Sequence, residues 1–180
     1  MLVVVVLLVA LFPVVSAGYA FADDYSMLWM AVSGDPSAQF GKSIFVVNAL
    51  GGRPLNGALV TLFFKAAHSI DNLRYIRLFA VTSIAAVAVL LWKTLVRQRI
   101  PAGLAAAIAL LSCSTPAFQV YASWACLFTV PLAVLLAGYA SITIARRAAS
   151  PLRSSLPNMF IAIVLLITSL AIYQPGAMFF

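Results

Sequence analysis

The feature that most constrains this chain is the length of its uncharged stretches. No charged side chain precedes Asp23, and residues 100–145 carry none at all. A helix rises 1.5 Å per residue, so about 20 apolar residues cross a ~30 Å hydrocarbon layer. The first stretch therefore suits one span, and the second is long enough for two. With 64% hydrophobic and 8% charged residues, and a mean hydropathy of +1.10, the chain fits lipid better than a soluble core. The expected fold class is all-α, a polytopic membrane helix bundle of about five transmembrane helices. The spans fall near residues 2–22, 73–92, 100–116, 125–145 and 157–176, in a single membrane domain over residues 1–180. A cleavable signal peptide is the competing reading of residues 2–22, because Ala20-Phe21-Ala22 suits a small-x-small cleavage site. The lack of a basic n-region, Pro13, and the later spans favour an uncleaved span. The chain reaches Phe180 inside an apolar run, as expected of the N-terminal part of something longer.

Charge sorts by sign. All four acidic residues, Asp23, Asp24, Asp35 and Asp71, lie in the one long loop, residues 23–72, and there is no glutamate. The short loops 93–99 and 146–153 hold six of the eleven basic residues and no acid. With five spans both basic loops share a side, so the positive-inside rule makes them, and the N-terminus, cytoplasmic and the acidic loop external. The net charge of +7 is thereby explained by membrane topology, and nucleic acid is not an expected partner. Cys113 and Cys126 fall in or beside apolar runs and read as small packing residues, without metal-ligand spacing.

The external loop is itself amphipathic. Phe40, Ile44 and Val47 recur at helical spacing up to Gly51-Gly52, where glycine can end a helix. Pro54 then opens a second helix, with Leu55, Ala58, Leu59, Leu62, Phe63 and Ala66 on one stripe and Asn56, Thr61, Lys65 and His68 off it. Too short to span, these are expected to be interfacial helices or a re-entrant element. Asp71 suits the N-cap of the second span, and Arg74 and Arg77 are expected to snorkel outward at its start. Trp29, Trp92, Tyr121 and Trp124 read as belt aromatics, and His68 as an interfacial side chain.

Two places can carry chemistry. The first is Asp23-Asp24. At the outward end of the first span, the pair would face the negative end of a helix dipole on a partly desolvated surface. Both effects favour the protonated form and make a better base for a sugar hydroxyl. Two neighbouring carboxylates could instead hold a divalent cation, magnesium or manganese, against a phosphate. The structural alternative has Asp24 capping a helix that begins at Tyr25. The second place is Gly51-Gly52-Arg53-Pro54-Leu55. An arginine beside free N–H groups at a helix start is a ready anion site, unless Arg53 merely points to solvent from a turn. Lys42, Lys65, Arg74 and Arg77 read as contacts to membrane lipid headgroups.

The order of three short motifs resembles a known family. Asp23-Asp24 follows the first span, Gly52-Arg53-Pro54-Leu55 comes about thirty residues later, and Ser169-Leu170-Ala171-Ile172-Tyr173-Gln174 lies near the end. In this the chain is similar to bacterial O-antigen glucosyltransferases of the serotype-converting type, and in plan to the wider GT-C class of membrane glycosyltransferases. The resemblance implies transfer of a sugar, glucose above all, from a polyprenyl-phosphate donor to a lipid-linked glycan such as O-antigen, on the periplasmic side of the bacterial inner membrane. It also implies that Asp23 or Asp24 is the catalytic base, that Arg53 holds the donor phosphate, and that Tyr25, Tyr173 and Gln174 line the cavity. Rival readings are a transporter or flippase subunit and a non-catalytic assembly partner. Against transport, no span carries a central charge and no inverted repeat is visible.

Overall fold

The computed structural model describes residues 2–32, 40–148 and 156–177. Asp35 and Arg153 lie outside the described residues, as do the side chains of Lys42, Arg146 and Arg147. The described residues form helices only: α1 (Leu2–Ser16), α2 (Ala22–Val32), α3 (Phe40–Leu50), α4 (Pro54–Ala67), α5 (Leu73–Arg97), α6 (Ala102–Cys113), α7 (Pro116–Ser123), α8 (Thr129–Ala148), α9 (Leu156–Ile172) and α10 (Gln174–Ala177). A single 3-10 turn, Ala125–Leu127, precedes α8.

Two helical stretches are long and apolar enough to cross a membrane, Leu73–Arg97 and Ala125–Ala145. A third span arises if α6 and α7, bent by 59° at Ser114-Thr115, act as one. The outer two expected spans form shorter helices. α1 has 15 residues, about 21 Å of rise, and α9 has 17, about 24 Å, both below the ~30 Å hydrocarbon thickness. Residues 2–22 are thus not one helix. α1 passes through Pro13, stops at Ser16, and a connector leads into α2.

α5 is the central element, packing on α1, α6 and α8. Its buried positions Leu73, Ile76, Arg77, Ala80, Val81, Ile84, Val87 and Ala88 follow the 3.6-residue period. One half of the core gathers Leu28, Val60, Phe64, Leu73, Ile76 and Phe128. Within it the rings of Phe63, Phe79 and Phe128 meet, the closest pair 4.7 Å apart between centroids. The other half joins Val3, Leu7 and Leu11 of α1 to Val81, Ile84, Val87, Cys113 and Val134. Ala133, Ala137 and Ala140 on α8 are buried, small residues that let helix backbones approach. There the buried Ser169 hydroxyl of α9 donates to the Ala133 carbonyl at 2.7 Å.

α3 and α4 form a helical hairpin whose turn matches the sequence reading. Gly52 takes φ +75°, the Arg53 amide donates to the Asn48 carbonyl at 2.7 Å, and Pro54 opens α4. The expected stripe of α4 is divided. Leu59 and Phe63 pack against the core, whereas Leu62 is 64% exposed; the buried positions are Gly57, Val60, Phe64 and Ala67. Polar Asn56, off the stripe, bonds Asn48 and Thr129. On α3 Ile44 is buried but Val47 is exposed. His68 ends α4 in the left-handed conformation, φ 55°.

The start of α5 also departs from expectation. Asn72, not Asp71, occupies the N-cap, and no side chain caps it. The Asn72 side-chain Nδ2 instead donates back to the Ala67 carbonyl at 2.6 Å. Arg77 does not snorkel: it is fully buried.

Candidate functional site

One end of the bundle collects the end of α1, the start of α2, the starts of α4, α5 and α8, and the end of α9. The connector between α1 and α2 is held there by two buried charges of opposite sign. From α5, Arg77 donates to the carbonyls of Val14 (3.4 Å), Ala17 (2.9 Å) and Tyr19. It thus satisfies carbonyls left free where α1 stops. Its guanidinium carbon lies 3.8 Å from the centroid of the Tyr19 ring. On the other side of the connector, the Asp24 carboxylate is fully buried. Its Oδ2 accepts from the Phe21 amide at 3.3 Å and the Ala125 amide at 3.2 Å, and its Oδ1 accepts from the Cys126 amide at 2.9 Å. The bond to Phe21 is the reach-back half of a capping box. The other two cap the 3-10 turn that leads into α8.

The aspartate pair stands at a different helix end from the one expected. Both aspartates lie in the first turn of α2, at the positive end of that helix dipole. They do not face the negative end of α1, which has already stopped at Ser16. The two side chains also part company. Asp24 is bound by backbone N–H groups from inside α2, which begins at Ala22 and not at Tyr25, while Asp23 and Tyr25 are exposed. Among the described residues, no three of His, Cys, Asp and Glu come together.

The other two motifs meet. Arg53, partly buried at the start of α4, lies with its guanidinium carbon 5.0 Å from the centroid of the Tyr173 ring. Its buried Nε has no hydrogen-bond partner among the described residues. Next to it the Gln174 amide donates to the Gly52 carbonyl at 3.2 Å. A Cβ on Gly52 would meet Gln174 Nε2, which would have to swing aside; it is the φ of +75° that favours glycine here. The backbone under Arg53 is fixed by Asn48, whose carbonyl receives the Arg53 amide and whose Oδ1 accepts from Asn56 at 2.8 Å. Thr129 at the start of α8 completes the chain by donating to Asn56 Oδ1 at 2.5 Å. Because α2 and α4 are packed neighbours, Asp23 stands on the helix beside Arg53's own.

At the far end of the bundle, Lys93, Arg97 and Arg99 are exposed. Trp92 ties that end of α5 to the start of α6 by donating to the Ala102 carbonyl at 3.3 Å. Cys113 and Cys126 are buried free thiols. Trp29 is 74% exposed, whereas Trp124 packs against Phe21 with centroids 5.2 Å apart.

Tyr19, Asn56 and Thr129 carry structural weight that motif reading did not assign to them, as does Arg77. For Arg77 the signal lay in its spacing from Leu73, Ala80, Val81 and Ile84, which places it on the core stripe of α5. Comparison with family models, curated proteins and solved structures finds no match.

Proposed function

We propose that this chain is a membrane glycosyltransferase of GT-C type, transferring a sugar from a polyprenyl-phosphate donor to a lipid-linked glycan. One observation carries the reading: two segments separated by 120 residues in sequence come together, with Tyr173 stacked on Arg53 and Gln174 bound to Gly52. Arg53 at the start of a helix supplies a fixed cation beside free N–H groups, which suits a phosphate leaving group. Asp23 is the exposed carboxylate and the better placed of the pair to act as base. The acceptor hydroxyl gives its proton to Asp23, and its oxygen attacks the anomeric carbon. The bond from that carbon to the phosphate oxygen breaks, and the lipid phosphate leaves against Arg53. Asp24 acts through position by holding the start of α2. The topology proposed with this has five spans, α1 and α9 included. The N-terminus and basic loops are cytoplasmic, and residues 23–72 periplasmic at the bacterial inner membrane.

The test is a transfer assay on membranes with polyprenyl-phosphate glucose and a lipid-linked glycan acceptor. Asp23→Asn should abolish transfer at normal expression, and Arg53→Ala should raise the KM for donor. Full activity in Asp23→Asn removes the mechanism.

A transport reading is favoured by the break between α6 and α7, since transporters place substrate sites on discontinuous helices. Gradient-dependent uptake into proteoliposomes would select it.

A further inference from the structure

A cavity of about 420 Å3 lies among α5, α6, α7 and α8, bounded by Val87, Leu91, Cys113, Phe118, Tyr121 and Val134. That size falls within the ~300–1,000 Å3 range of small-molecule sites. By helical rise, Val87 and Leu91 lie about 21 and 27 Å along α5 from Leu73, inside a hydrocarbon layer ~30 Å thick. The break at Ser114-Thr115 accounts for the space: α7 turns 59° from the line of α6, and Phe118 and Tyr121 wall a gap instead of closing it.

The lining decides what can occupy it. Water needs two to four polar partners, and the wall is largely apolar. One of its few hydroxyls, that of Thr115, is already donated to the Ser112 carbonyl at 3.1 Å. At this depth the surrounding medium is hydrocarbon, and hydrocarbon matches the wall. The geometry points to a seat for one aliphatic tail of a membrane lipid, and that seat stands on the cavity and its apolar wall, not on the role proposed for Arg53.

The experiment uses Cys113 as reporter, in a Cys126→Ala variant held in a fluorinated surfactant whose tails mix poorly with hydrocarbon. Modification of Cys113 by an alkyl methanethiosulfonate is followed by intact mass, with and without hexadecyl phosphate. Saturating hexadecyl phosphate should slow modification at least tenfold. Ala117→Trp, at an exposed rim residue of the same cavity, should remove that dependence. An unchanged rate, or equal slowing in Ala117→Trp, overturns the seat. No sugar transfer is measured and Asp23 and Arg53 stay intact, so failure here leaves the transferase reading standing.

Discussion

Replacing Asp24 with asparagine isolates what its charge contributes, because the side chain keeps its shape. The carboxylate serves three amides with two oxygens: Phe21 and Ala125 share Oδ2, and Cys126 uses Oδ1. Asparagine has one acceptor oxygen, so in either orientation at least one amide loses its partner and meets an NH2 donor. Losing one buried hydrogen bond to a charged group is worth about 1.5–3 kcal/mol. The two remaining bonds also change from charge-assisted to neutral, which brings the expected loss to roughly 3 kcal/mol. For a chain of this size that lowers the unfolding midpoint by about 6–12 °C. The midpoint can be read in detergent with a maleimide dye that fluoresces on reaching the buried thiols of Cys113 and Cys126. Asp23→Asn, at an exposed position, is the control and should melt with the wild type. An Asp24→Asn midpoint within about 2 °C of wild type would refute the clamp, because the predicted loss is several times larger.

Further outcomes follow from the same geometry. Arg77→Met should destabilise by about 1–3 kcal/mol in the same melting assay, since it leaves the buried carbonyls of Val14, Ala17 and Tyr19 without their donor. The double variant Asp24→Asn/Arg77→Met should fall short of the sum of the two singles. Gly52→Ala should lower both the melting point and transfer, through strain at φ +75° and the clash with Gln174; adding Gln174→Ala should recover part of the melting loss. Phe128→Ala should cost about 3–5 kcal/mol by emptying the three-ring cluster. In a background lacking native cysteines, Asp23→Cys should react with impermeant maleimide from outside intact cells and Arg97→Cys only after lysis.

Helical content was legible because uncharged runs and proline and glycine punctuation act locally. The Gly51-Gly52-Arg53-Pro54 turn appeared where it was read. The division of α4 was not legible: one continuous apolar stripe gives no sign that Leu59 and Phe63 pack on the core while Leu62 is exposed, nor that Asn56 bonds across to Asn48 and Thr129. Arg77 was read by residue type as a surface cation, although its spacing from Leu73, Ala80 and Ile84 placed it inside. The splitting of Asp23 from Asp24 depends on Ala125 and Cys126, about a hundred residues away, and no local pattern carries that information. The meeting of Arg53 with Tyr173 is likewise a tertiary fact, although both motifs were visible.

The bracket of Arg77 and Asp24 also dictates an order of assembly. The carbonyls freed at the end of α1 wait for a guanidinium synthesised some sixty residues later, and the Asp24 carboxylate waits for amides that arrive forty or more residues after that. Until residues 125 and 126 are made, Asp24 has only the Phe21 amide to bind. The opening segment of this protein is therefore made first and fully locked late, and a chain stopped before Ala125 would hold it through Arg77 alone.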